Sequence, residues 1–177
     1  MHTVRVPTYA PDPARFLAFV RKFPPLLLVD VDGVVSLFGF DPAAPPRGRW
    51  SNVEGIAHLI SAAALEHLAP LARTFECAWC SGWDEKAGEH LPGGWPHVPL
   101  PSAPGDGSRH WKVDAIDAFA GRARPLAWVD DRHDDRARAW AAARPGPTLL
   151  VGTDPAVGFT RAHARELEVW AAALPLT

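Results

Sequence analysis

Short apolar runs alternate along this chain with stretches of helical spacing, and the alternation sets the expected architecture. Residues 26–31, 74–80, 126–129 and 148–151 are apolar runs bounded by Pro, Gly or charged residues. Runs of that length read as buried strands. A fifth, at 97–100, reads as a further short strand. Between them the period becomes helical. Residues 12–22 carry a stripe formed by Phe16, Phe19 and Val20 and continued by Phe23. A long helix is expected within 52–72, a short one at 84–91, and others at 111–120, 134–143 and 161–174. Residues 38–50, rich in Pro and Gly, read as a loop or flap. Strands alternating with helices predict a parallel sheet covered on both faces. No internal repeat interrupts the pattern.

The first strand ends in Asp30-Val31-Asp32-Gly33. A buried strand does not end in two carboxylates unless they are paired, bind a cation or take part in a reaction. Both would lie at the carboxyl end of the strand, where open α/β sheets bind ligands. The plain alternative is a turn that caps a helix. Three further positions share this placement. Ser81-Gly82 follows the second run, Lys112 stands at the start of a helix, and Asp130-Asp131 close the run at 126–129. Taken singly, Ser81 is a turn residue and Lys112 a solvated helix residue.

The ordered set of Asp30-x-Asp32-Gly33, Ser81, Lys112 and Asp130-Asp131 resembles the four-motif signature of the haloacid dehalogenase-like (HAD) phosphohydrolases. The resemblance implies a Rossmann-like three-layer sandwich with a central parallel sheet of about five strands in the order 5-4-1-2-3. It implies an aspartyl-phosphate mechanism in which Asp30 is the nucleophile and Asp32 the general acid and base. Ser81 and Gly82 would hold the substrate phosphate, and Lys112 would offset charge on Asp30 and the phosphate together. Mg2+ is the implied cofactor, with Asp30, Asp32 (through its backbone carbonyl), Asp130 and Asp131 as its site. Asp32 favours phosphate chemistry over dehalogenation, which needs no proton donor there.

The segments Trp79 to Asp84 and Val151 to Thr160 also resemble small actinobacterial HAD proteins related to the HAD domains of RNA-repair proteins. That group usually has Thr in the second motif, where this chain has Ser81. Asp130-Asp131-Arg132 is similar to the last motif of polynucleotide 3′-phosphatases. The resulting expectation is a Mg2+-dependent phosphatase acting on a phosphomonoester. The alternatives are a polynucleotide 3′-phosphatase and a non-catalytic scaffold that binds a phosphorylated ligand or a protein.

Length and charge narrow the setting. The 177 residues fit a single domain, 1–177, with a small flap at about 34–54 and no room for a large cap. A site without a cap needs either a large substrate to close it or a second copy, as in a homodimer, to act as a lid. The net charge of −2 gives no general attraction to nucleic acid or an anionic membrane. The N-terminus lacks the pattern of a signal peptide and no apolar run approaches a membrane span, so a cytoplasmic protein is expected. Cys77-x-x-Cys80 invites a redox or zinc reading. Residues three apart in a strand face opposite ways, so two structural thiols are expected instead. The eight histidines lack metal-ligand spacing; His110 and His133 flank the motifs and could touch substrate, but a surface position is expected for each. Trp83, Trp95 and Trp111 stand near motif residues and could stack on a base or sugar, or simply pack.

Overall fold

The protein is described here from a computed structural model covering residues 24–101 and 111–175. The expected helix at 12–22 and His110 lie outside those residues. Leu26–Val29 (β1) forms the centre of a four-stranded parallel sheet. Its neighbours are Glu76–Trp79 (β5) on one side and Leu126–Asp130 (β6) on the other, with Thr148–Gly152 (β7) beyond β6.

Alternation along these strands builds two cores. Leu27, Val29, Cys77, Trp79, Ala127 and Val129 face one way. There they pack with Ala64 and Leu68 of Ala62–Leu68 (α1) and with Ala164 and Leu167 of Arg161–Ala173 (α5). Leu26, Leu28, Ala78, Cys80, Leu126 and Trp128 face the other way. They meet Val113 and Ile116 of Trp111–Ala120 (α3) and Ala137 of Asp135–Ala143 (α4). The three β1 leucines are fully buried, each stabilising the fold by about 1.5–3 kcal/mol. Cys77 and Cys80 fall in opposite cores, unpaired and buried. Burial pushes the Cys77 thiol up to about 12 and raises Cys80 as well.

The sheet has four strands among the described residues rather than five. The segment at 97–100 makes one parallel bridge, His97 to Trp79. Trp79 N–H donates to the Pro96 carbonyl and Val98 N–H to the Trp79 carbonyl, each at 2.8 Å. Pro96 has no N–H to donate back to β5, which stops the ladder on that side, while Pro99 removes a donor from the edge facing away from β5.

A larger correction concerns residues 34–72. Strands take the end of the loop and the first half of the helical span expected there. Gly48–Val53 (β3) and Ile56–Ser61 (β4) form an antiparallel hairpin, and Ser36–Leu37 (β2) pairs with β4. These three strands fall within residues 36–61. The hairpin turns on Glu54-Gly55, both with positive φ (52° and 85°), and Gly55 N–H donates to Asn52 Oδ1 at 2.9 Å. Two left-handed residues match the right-handed twist of a hairpin. The helix is reduced to α1, whose N-cap Ser61 accepts from Ala64 N–H at 3.2 Å. A 3-10 turn, Ala69–Arg73, follows with Pro70 in its first turn.

Lys86–His90 (α2) completes the set. Asp134 caps α4, and Thr160 with His163 forms a capping box on α5. No helix among the described residues is long and apolar enough to cross a membrane.

Candidate active site

Parallel pairing of β1 with β6 sets Val29 beside Val129, so the next residue on each strand, Asp30 and Asp130, emerges at the same sheet edge. Asp30 N–H donates to the Val129 carbonyl at 2.9 Å. Lys112, in the first turn of α3, reaches over both. Its Nζ donates to Asp30 Oδ2 at 2.7 Å and to Asp130 Oδ2 at 2.8 Å. All three residues are buried. The remaining carboxylate oxygens have partners too. Asp30 Oδ1 accepts from Val31 N–H at 2.7 Å, and Asp130 Oδ1 from Arg132 N–H at 2.9 Å.

Asp131 joins this pair. Ligand oxygens of Asp30, Asp130 and Asp131 lie within 4.8 Å of one another. Arg132 Nε contacts Asp131 Oδ2 at 3.1 Å at the exposed rim. Lys112 from the buried side and Arg132 from the rim thus both reach this cluster. Burial raises Asp30 to about 7, against the lowering pull of Lys112 and with a further push from Asp130. For Lys112 burial acts downward, but Asp30 and Asp130 outweigh it and hold the ammonium above its ordinary range. A cluster of hard oxygen donors suits a hard divalent cation. Asp30, Asp130 and Asp131 are the residues that would hold it.

Gly33 explains why a glycine closes the first motif. Its φ is +73°, and a Cβ there would lie 2.6 Å from Asp131 Cβ and Cγ. Thr153 Oγ1 donates to the Gly33 carbonyl at 2.9 Å, fixing the turn from β7's side. Gly33 therefore allows the turn after Asp32 to pass against Asp131.

The carboxylate of Asp32 lies outside the three-acid cluster, in keeping with an expected role through its backbone carbonyl alone. It is about half-exposed. Trp83 Nε1 donates to Asp32 Oδ2 at 3.0 Å, and His58 Nδ1 lies 3.6 Å from Asp32 Oδ1. Ser36 Oγ is 2.9 Å from the same His58 nitrogen, and the His58 ring meets Trp83 edge-on at 4.6 Å. His58 was missed in the sequence. It is one of eight scattered histidines, and only the β2–β4 pairing, which sets Ser36 opposite Ile60, brings it here.

Ser81 is buried at the carboxyl end of β5. The Cys80 N–H bond to the Val29 carbonyl, 2.8 Å, holds that end beside β1. Its hydroxyl accepts from Trp83 N–H at 3.5 Å. Gly82 is exposed, with open space where a Cβ would stand.

The other candidate residues separate. Trp111 lines a small cavity of about 160 Å³ with Asp30, Lys112, Asp130, Asp131 and Arg132. Trp95 packs on Trp79, ring centres 4.7 Å apart, against the core, so it is a packing residue. His133 sits edge-on to Trp128 at 4.8 Å, and burial lowers its pKa. A second cavity, about 740 Å³, is lined by Trp83, the β3–β4 turn, α2 and His97. It includes none of the clustered acids.

No family model matches this chain, and no curated protein matches it. Among solved structures, a hypothetical protein, XCC2798 from Xanthomonas campestris, is similar at a TM-score of 0.45 and 15% identity, over 89% of this chain and 88% of that one.

Proposed function

We propose that this protein is a Mg2+-dependent phosphomonoester hydrolase of the HAD type, acting through an aspartyl-phosphate. The observation that carries the reading is Lys112 bridging Asp30 and Asp130, with Asp131 alongside. Three distant sequence segments supply a nucleophile, its counter-ion and a cation site at the carboxyl ends of adjacent strands. The strand order β5-β1-β6-β7, with the His97 bridge outside β5, is compatible with the order that the resemblance implies.

Each residue then has a task. An Asp30 oxygen attacks phosphorus as the bond from phosphorus to the alcohol oxygen breaks. Lys112 stays on Asp30 and Asp130 and offsets the charge brought by the phosphate. Ser81 and the open backbone at Gly82 receive phosphate oxygens at the end of β5. Asp32, steered by Trp83 and His58, gives its proton to the departing alcohol oxygen. It then takes a proton from the water that attacks the acyl-phosphate, releasing phosphate and restoring Asp30. Mg2+ bound by the three acids would shield the incoming phosphate from their charge. Asp32 itself argues against a mere binding scaffold, because holding a phosphorylated ligand needs no proton donor.

The test is Asp30→Asn. The variant should fold, lose Mg2+-dependent release of phosphate from p-nitrophenyl phosphate, and lose Mg2+-dependent binding of beryllofluoride. Retention of most activity by a folded Asp30→Asn protein would remove the mechanism.

A further inference from the structure

Trp83 meets the site at two points. Its indole N–H donates to Asp32 Oδ2 at 3.0 Å, and its backbone N–H donates to Ser81 Oγ at 3.5 Å. The residue is buried, with 7% of its surface exposed, so it has no open ring face on which a base or sugar could stack. Two rings bracket the indole edge-on, His58 at 4.6 Å and His90 at 6.2 Å between centres. The backbone is tied down as well. Asp84 N–H donates to the Ser81 carbonyl at 3.2 Å, and Lys86 N–H to the Trp83 carbonyl at 3.0 Å. The one side-chain donor of tryptophan is therefore held in place, and it points at the proposed general acid.

A tight turn fixes the backbone of Asp32, with Gly33 N–H on the Ser36 carbonyl and Ser36 N–H on the Val31 carbonyl, both at 2.8 Å. The side chain beyond it is 49% exposed, and nothing in the turn itself selects among its staggered rotamers. Among the described residues the Trp83 bond is its one hydrogen bond. His58 Nδ1 stands 3.6 Å from Oδ1 and nearer, at 2.9 Å, to Ser36 Oγ. Oδ2 is thus engaged and Oδ1 is left open. In a carboxylic acid an N–H prefers the carbonyl oxygen as acceptor, because the other oxygen carries the donor hydrogen. With Trp83 on Oδ2, the proton of Asp32 belongs on Oδ1.

We infer that Trp83 is the positioning residue of the general acid: it holds Asp32 by Oδ2 and so presents Oδ1 to the departing alcohol. The inference rests on the phosphomonoesterase reading and adds to it the atom that moves the proton and the residue that aims it. As the bond from Asp30 to phosphorus forms and the bond from phosphorus to the alcohol oxygen breaks, the Oδ1 proton passes to that oxygen. Asp32 is left as a carboxylate still bonded to the indole, and Oδ1 takes a proton back from the attacking water. Ser81, which receives phosphate, and Trp83 share one loop, so the phosphate and the acid are placed by the same turn. A general acid must stand within about 2.6–3.2 Å of the oxygen that it protonates, and a misplacement of about 1 Å costs on the order of a hundredfold. Sharing three rotamers without the indole costs about threefold at least. The expected loss lies between these bounds, at about tenfold.

Trp83→Phe keeps a ring in place and deletes the N–H. The experiment compares kcat/KM with Mg2+ for glycerol 3-phosphate, whose alkoxide needs the proton, and p-nitrophenyl phosphate, whose phenolate departs with little help. The first should fall about tenfold and the second by about twofold or less. In an Asp32→Asn background, Trp83→Phe should add less than about twofold to the loss on glycerol 3-phosphate, because a residue that acts through Asp32 then has nothing to aim. Mere loosening of packing would lower both esters alike and would add in full. A second measurement leaves Trp83 unaltered. Asp32→Ala changes a half-exposed side chain and should move one indole N–H resonance upfield, as the charge-assisted bond is lost. Equal losses on the two esters, additive losses in the double variant, or indole resonances that stay in place would overturn the inference and leave the phosphatase reading standing. Failure of the unaltered protein to hydrolyse either ester overturns both.

Discussion

Lys112→Met tests the centre of the site without touching an acid. The methionine stem fills the same corridor from α3, but the ammonium between Asp30 Oδ2 and Asp130 Oδ2 is gone. The three carboxylates within 4.8 Å of one another then lose their buried counter-ion and keep the backbone N–H bonds of Val31 and Arg132 and the rim contact of the Arg132 side chain. Removing one partner from a buried ion pair costs about 3–5 kcal/mol. Protonation caps that cost, since Asp30 already sits near 7 with the lysine present and takes up a proton without it. The lower end, about 3 kcal/mol, is therefore the expectation. For a chain of this size, that is a fall of about 6–12 °C in Tm.

The second half of the test is the response to Mg2+. A cation that binds the folded form stabilises it by about 2.7 kcal/mol at one hundred times its Kd. With the competing ammonium removed, Mg2+ should bind the variant more tightly and restore more of its Tm than it adds to the unaltered protein. Turnover should stay lost. The assay is thermal unfolding in chelator and across a Mg2+ series for both proteins. A variant within 2 °C of the unaltered protein in chelator, or one with no larger Mg2+ response, would refute the idea that Lys112 is the counter-ion of a cation site.

Asp32→Asn should give a burst of phenolate from p-nitrophenyl phosphate followed by slow turnover, because the acyl-phosphate then lacks a base; stopped-flow absorbance reads it, and equal losses on aryl and alkyl esters without a burst would count against the role. Gly33→Ala should cost about 1–3 kcal/mol from the +73° backbone alone and should also weaken Mg2+ binding by displacing Asp131. Calorimetry separates the two, and an unchanged Mg2+ affinity would show that the contact with Asp131 is slack. The thiols of Cys77 and Cys80 should react with a disulfide reagent only on unfolding. Their folded pKa values lie above the ordinary 9.0, so stability is intact below pH 9 and declines as pH rises past it. Fast labelling of the folded protein would contradict their burial.

The parts of the fold written by local pattern were legible in the sequence. β1, β6 and β7 are apolar runs with sharp boundaries, and α3, α4 and α5 begin and end close to where period and caps place them. The flap was not. Residues 52–72 contain apolar positions compatible with a helix, and the decisive signal was the Asn52-Val53-Glu54-Gly55 turn rather than the period. The strand at 97–100 is held to one bridge for a reason also written locally, since Pro96 has no N–H to offer β5. The acids and Lys112 were found because motif positions sit at element ends. His58 was invisible because its place depends on a pairing 22 residues from Ser36.

Pro96 and Pro99 have a consequence for how copies of this molecule can meet. β5 is an outer strand, and an outer strand with free N–H and C=O groups recruits other strands. Here a segment that makes one bridge and then stops covers it. An added chain finds few donors there. β7 is the other outer strand and lacks a strand partner beyond it among the described residues. Among the described residues, β7 is thus the sheet edge better able to take an added strand, at the end opposite β5.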